Sequence, residues 1–137
     1  MTIVPAGHIA AHMFGTILHV ALGGAIGSVL RFLAGAGALR LFGAGFPIGV
    51  LVVNIVGSFL MGLFAVYATK NAATHLSPFV MTGILGGFTT FSAFSLETVA
   101  LFEKGAMGQA VLYVVLSVGL SVAALCAGLW IARGMGA

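Results

Sequence analysis

The sequence predicts an all-α membrane protein of four transmembrane helices, and three observations carry that prediction. The first is composition: of 137 residues, 61% are hydrophobic and 5% charged, with a mean hydropathy of +1.26, where a soluble domain carries about 25% charged residues. The second is where the charges fall. Arg31, Arg40, Lys70, Glu97, Glu103, Lys104 and Arg133 leave four uncharged runs, 1–30, 41–69, 71–96 and 105–132. The third is that each run exceeds the about 20 apolar residues that cross the hydrocarbon at about 1.5 Å per residue. A β-barrel is excluded, since its strands are about 10 residues long and alternate in polarity. The length suits a single domain, 1–137. The lone Cys126 excludes a disulfide scaffold, and a net charge of +3 from five scattered cations excludes a phosphate-tracking nucleic-acid binder.

The first helix is expected at 16–39, after a short exposed lead-in at 1–15. A cleaved signal peptide is not expected, because the first cation is Arg31 and such a leader begins with a cationic region. His8, His12 and His19 are joined by no acid or thiol and stay outside the mechanism. Gly23-x-x-x-Gly27 here, and Ser58-x-x-x-Gly62 in the next helix, allow close backbone approach, either within one chain or between chains.

The second helix is expected at 47–69. Apart from Ser58, Asn54 is its one strong hydrogen-bonding side chain between Leu41 and Tyr67. An amide in hydrocarbon is either interhelical glue or part of a pathway.

The third helix, 77–103, contains Gly86-Gly87-Phe88-Thr89-Thr90-Phe91-Ser92-Ala93-Phe94-Ser95-Leu96-Glu97. Two glycines followed by two threonines combine low helix propensity with hydroxyls that compete for backbone bonds, which predicts a break over 86–90. Broken backbone at membrane depth must be buried in protein or line a cavity, where its freed carbonyls suit a cation. A plain, tightly packed Gly/Thr helix is the alternative. Phe91 and Phe94 are neighbours on this helix, beside Ser92, Ser95 and Thr98. Aromatic edges carry partial positive charge and can solvate a small anion.

The fourth helix, 106–132, places Tyr113, Ser117 and Ser121 at i, i+4 and i+8, a ladder of hydroxyls on one face with rungs about 6 Å apart. Serines that bond back to their own helix are the alternative. Trp130 and Arg133 close it as an interfacial anchor. Arg31 and Glu97 lie within spans, so each should face water or a partner, in an ion pair or with Arg31 in a vestibule.

Four spans place the termini and Lys70 on one side, with Arg40 and Lys104 on the other. Lys70 and Arg133 then balance Arg40 and Lys104, so the positive-inside rule gives little bias. Such a chain can insert both ways and pair antiparallel with itself, or be fixed in one topology by a single extra cation.

The third-helix run closely resembles the signature of the CrcB/Fluc fluoride channels. GGAIGSVLRF at 23–32 and GVLVVNIVGSF at 49–59 resemble that family's first and second helices. The resemblance implies an antiparallel, dual-topology homodimer in the bacterial inner membrane, with two pores that passively export fluoride from the cytoplasm and a structural Na+ at the dimer centre. By position it implies fluoride-pore roles for Phe91, Phe94, Asn54, Tyr113, Ser117 and Ser121, and a vestibule role for Arg31. It also implies that the backbone carbonyls of Gly86 and Thr89 hold Na+. The family often has Thr at Val50 and Ala93, and a hydroxyl at Leu125. The expected partners are fluoride, lipid and a second copy, with no nucleic acid. A small multidrug-type transporter, which needs a membrane-embedded carboxylate on its first helix, and a structural membrane subunit are the alternative classes. No nucleophile, base and orienting group fall together, so an enzyme is not expected.

Overall fold

A computed structural model describes residues 6–135, with side chains from Met13 onward. It contains helix α1 (Ala6–Phe42), α2 (Ile48–Lys70), a 3-10 turn (Thr74–Leu76), a π-helix (Pro78–Leu85), the single turn α3 (Gly86–Phe88), α4 (Phe91–Glu103) and α5 (Met107–Gly134). Among the described residues, four stretches are long and apolar enough to cross a membrane: Met13–Phe42, Ile48–Lys70, Thr74–Glu103 and Met107–Gly134.

Local chemistry sets the ends of these elements. Gly43 follows α1 with φ +74° and returns its N–H to the Leu39 carbonyl at 2.9 Å, a left-handed stop that glycine adopts without strain. Pro47 then caps the start of α2. Between α4 and α5, Gly105 at φ +75° and the Ala106 N–H, bonded to the Leu101 carbonyl at 3.0 Å, make the same kind of stop. At the other end of the bundle Lys70 Nζ donates to the carbonyls of Ala132 (3.1 Å) and Arg133 (2.9 Å). A cation thus satisfies carbonyls that the end of α5 leaves free, and joins it to the end of α2.

Two glycine seams hold the bundle. Gly23 of α1 lies so close to Gly83 of the π-helix that a Cβ on Gly83 would stand 2.8 Å from the Gly23 Cα, and one on Gly87 would stand 3.1 Å from the Gly24 Cα. Gly62 of α2 meets α5 likewise, a Cβ there lying 2.9 Å from the Leu129 backbone nitrogen. Gly23, Gly27 and Gly62 therefore serve contacts within one chain. Phe94, Leu101, Ala110 and Tyr113 form a buried cluster, flanked by Phe46, Val50 and Leu51.

One sequence expectation is corrected and another is narrowed. Helix α1 begins at Ala6, so residues 6–15 continue the first helix rather than leading into it, while 1–5 fall outside the described residues, as do the side chains of His8 and His12. The break in the third span is confined to Thr89 and Thr90. Gly86 is helical (φ −65°, ψ −38°), whereas Thr89 (φ −80°, ψ 158°) and Thr90 (φ −155°, ψ 122°) are extended. The physical reason is that Gly87 is spent on close approach to α1, while the Thr89 carbonyl and the Thr90 N–H and carbonyl find side-chain partners on α1 and α2.

Candidate functional site

Helix α4 restarts through Thr90, whose hydroxyl accepts from the Ala93 N–H at 3.2 Å as an N-cap. The extended backbone before it is pinned from α2. The Thr90 N–H donates to Asn54 Oδ1 at 2.8 Å, and Asn54 Nδ2 donates to the Thr90 carbonyl at 3.0 Å. One amide side chain thereby satisfies both backbone groups of a residue that has left its helix. This is glue in the strict sense, yet it leaves one amide hydrogen without an assigned partner. From α1, Arg31 Nη1 donates to the Thr89 carbonyl at 3.2 Å. Arg31 therefore meets the break rather than Glu97, and no ion pair is present among the described residues.

Beside this break lies a cavity of about 300 Å³ lined by Asn54, Ser58, Thr89, Thr90, Phe91, Phe94, Ser117 and Ser121, and closed by apolar residues that include Leu125. The rings of Phe91 and Phe94 stand 5.4 Å apart at 52°. Phe94 is buried, and Phe91 is 77% exposed.

The hydroxyls divide into two groups. Thr89 Oγ1 donates to the Leu85 carbonyl (2.9 Å), Ser95 Oγ to Phe91 (2.9 Å) and Thr98 Oγ1 to Phe94 (2.8 Å), all turned back on their own span. Ser92 Oγ shares a hydrogen bond with Thr90 Oγ1 at 3.2 Å. The polarity expected from Ser92, Ser95 and Thr98 is thus consumed locally. Ser117 Oγ and Ser121 Oγ behave differently: both are buried and neither has a hydrogen-bond partner. A buried hydroxyl without a partner is unfavourable by about 1–3 kcal/mol, and both line the cavity.

Tyr113, the first rung of the ladder, stands behind the cavity. It is fully buried, its ring packs against Phe94 with centroids 5.4 Å apart, and its hydroxyl donates to Glu97 Oε2 at 2.6 Å. That bond links α4 to α5 and gives Glu97 a partner that its sequence position did not reveal. Gly86 is exposed at the start of α3 and does not line the cavity. Extended Thr89 and Thr90 carry the following N–H groups away from the carbonyls of the preceding turn, so that turn ends as the free C-terminus of a half-helix. Among the polar lining residues, Thr90 and Ser58 were not expected at the site, and Thr89 was expected only through its backbone carbonyl. Ser58 was legible at i+4 from Asn54 on the same face.

Comparison with known proteins adds the following. Residues 18–129 match the family model described as CrcB-like protein, Camphor Resistance (CrcB). The chain is 65% identical over 124 residues to a protein of Ruegeria sp. (strain TM1040) named fluoride-specific ion channel FluC, covering 90% of this chain and 98% of that one. A protein of the same name from Roseobacter denitrificans is 62% identical over 88% of this chain and 97% of its own. One from Cereibacter sphaeroides is 54% identical over 89% and 98%.

Proposed function

From the premise that this chain belongs to the CrcB-like family, we propose that it is a fluoride-selective passive channel, an integral membrane protein and not an enzyme, and that the cavity beside Phe91 and Phe94 is its pore. The observation that carries this assignment is the pair of buried, unpartnered hydroxyls of Ser117 and Ser121 on the cavity wall. A small, strongly hydrated anion gives up its water only where donors replace it at short range. Two hydroxyls, the remaining Asn54 amide hydrogen and the positive edges of two phenyl rings supply donors without a fixed cation to trap the ion. The lining holds no ionisable side chain. Hydroxyl donors favour a small anion that they can hold closely over a larger halide of lower charge density.

The working unit we propose is an antiparallel homodimer with two pores in the bacterial inner membrane, exporting fluoride from the cytoplasm. Phe91 lines the cavity from the start of α4 and is 77% exposed, which supports completion of the wall by a second copy. Na+ would be held at the dimer centre by the carbonyls of Gly86 and Thr89 from each subunit. The donor set fits: carbonyls at the C-terminal end of a half-helix suit an alkali cation, and Thr89, although bonded to Arg31, retains a second lone pair. Bound there, the cation supplies positive charge that holds two negative helix ends together.

Efflux from proteoliposomes tests the reading. With wild-type protein, rapid fluoride release without chloride release is expected, and Phe91→Ile should abolish it. Absence of fluoride release from verified, folded dimers would return the polar wall to packing.

A further inference from the structure

A second cavity, about 460 Å³, opens where the 43–47 and 104–106 connections meet, and its lining contains two charged side chains, Glu97 and Lys104, together with Gln109. Glu97 lies two helical turns below Lys104, about 10 Å at 1.5 Å per residue. It forms the floor, where its carboxylate accepts the Tyr113 hydroxyl. Tyr113 in turn packs on Phe94, which lines the pore cavity. A chain of direct contacts, Glu97 to Tyr113 to Phe94, therefore runs from the lining of this cavity to the lining of the other.

A carboxylate at the base of an opening repels an approaching anion. The repulsion acts on any anion that passes close to it, where less water intervenes to screen the charge. Lys104 is the only cation among the residues that line this cavity. No ion pair engages it among the described residues. Its four-carbon stem lets the ammonium reach over the rim while staying in water.

Building on the channel reading, we propose that this cavity is an outer mouth of the fluoride pathway, and that Lys104 is a steering residue that offsets the Glu97 charge and draws fluoride in. The role is electrostatic and local. It sets how often the ion enters, and the narrow part of the pore still sets which ion passes. Gln109, on the first turn of α5, adds a neutral donor to the same rim.

The test is fluoride efflux from proteoliposomes at fluoride concentrations where the rate rises linearly, compared at ionic strengths of about 0.01 M and about 1 M, where the screening length falls from about 30 Å to about 3 Å. Lys104→Glu should slow efflux about tenfold at low ionic strength and Lys104→Gln about threefold, in keeping with steering effects on association. Lys104→Arg should match wild type, and at high ionic strength all four should converge to within about twofold. Chloride should be retained throughout. Equal low-salt rates for wild type and Lys104→Glu would overturn the proposal, as would a slowing that is the same at both ionic strengths in variants that elute as wild-type dimers. Wild-type protein and Phe91→Ile in the same experiment separate the two readings. If wild type releases no fluoride, the channel assignment falls; if it does and Lys104 has no salt-dependent effect, the mouth alone falls.

Discussion

Ser117 and Asn54 stand at opposite ends of a contrast that single substitutions make measurable. Ser117 Oγ is buried without a partner, so Ser117→Ala removes an unsatisfied group. Thermal unfolding in detergent should show unchanged or higher stability, by up to about 1 kcal/mol, since desolvation no longer goes uncompensated. Fluoride efflux should fall by about tenfold or more, because a hydrogen bond to an ion is worth about 1.5–3 kcal/mol. Loss of stability with retained efflux would show that the hydroxyl serves packing. Asn54→Ala does the reverse to the scaffold, stranding the N–H and C=O of Thr90. It should lower stability by about 2–4 kcal/mol, read as a lower melting temperature, and lose efflux with it. The sequence showed that Asn54 mattered but could not show its partner, because a hydrogen bond to backbone 36 residues away leaves no trace in local pattern. The serine ladder was legible from spacing. Its lack of back-bonding was not, since the same residue types at Ser95 and Thr98 do turn back.

At the level of the elements, each glycine's environment predicts the effect of altering it. Gly83→Ala would drive a methyl into the Gly23 backbone, so the first span should part from the π-helix at a cost of about 1–3 kcal/mol or more, seen as poor recovery of folded protein. Gly119, on α5, has nothing near its open side, and Gly119→Ala should stabilise that helix by about 0.5–1 kcal/mol. The four spans were legible because hydropathy and charge placement are local quantities. Their boundaries were less so: α1 begins ten residues before the expected 16, because a helix continues through apolar sequence that bears no stop signal. The break was placed over 86–90 on propensity and is found at Thr89 and Thr90. Propensity treats glycine as a breaker, whereas here Gly86 and Gly87 stay helical, Gly87 in close contact with the Gly24 backbone of α1.

For the whole molecule, the balanced cations at the two ends make insertion in both orientations testable. Two lysines added to the 71–73 connection, or two added to the 43–46 connection, should each fix one orientation. Either protein alone should then lose efflux, and co-expression of the two should restore it. Full activity from either alone would show that opposed orientations are not required. The composition of the proposed pore lining also bears on energetics. Its wall carries no ionisable side chain, so it holds no gating charge to be displaced when voltage changes. Along that wall the electric field then acts on the permeant anion and on no side-chain charge. An interior-negative potential of 100 mV favours outward movement of one negative charge by about 2.3 kcal/mol. That corresponds to an equilibrium ratio of about fifty between outside and inside, sustained by the cell's existing polarisation without a coupled ion or nucleotide.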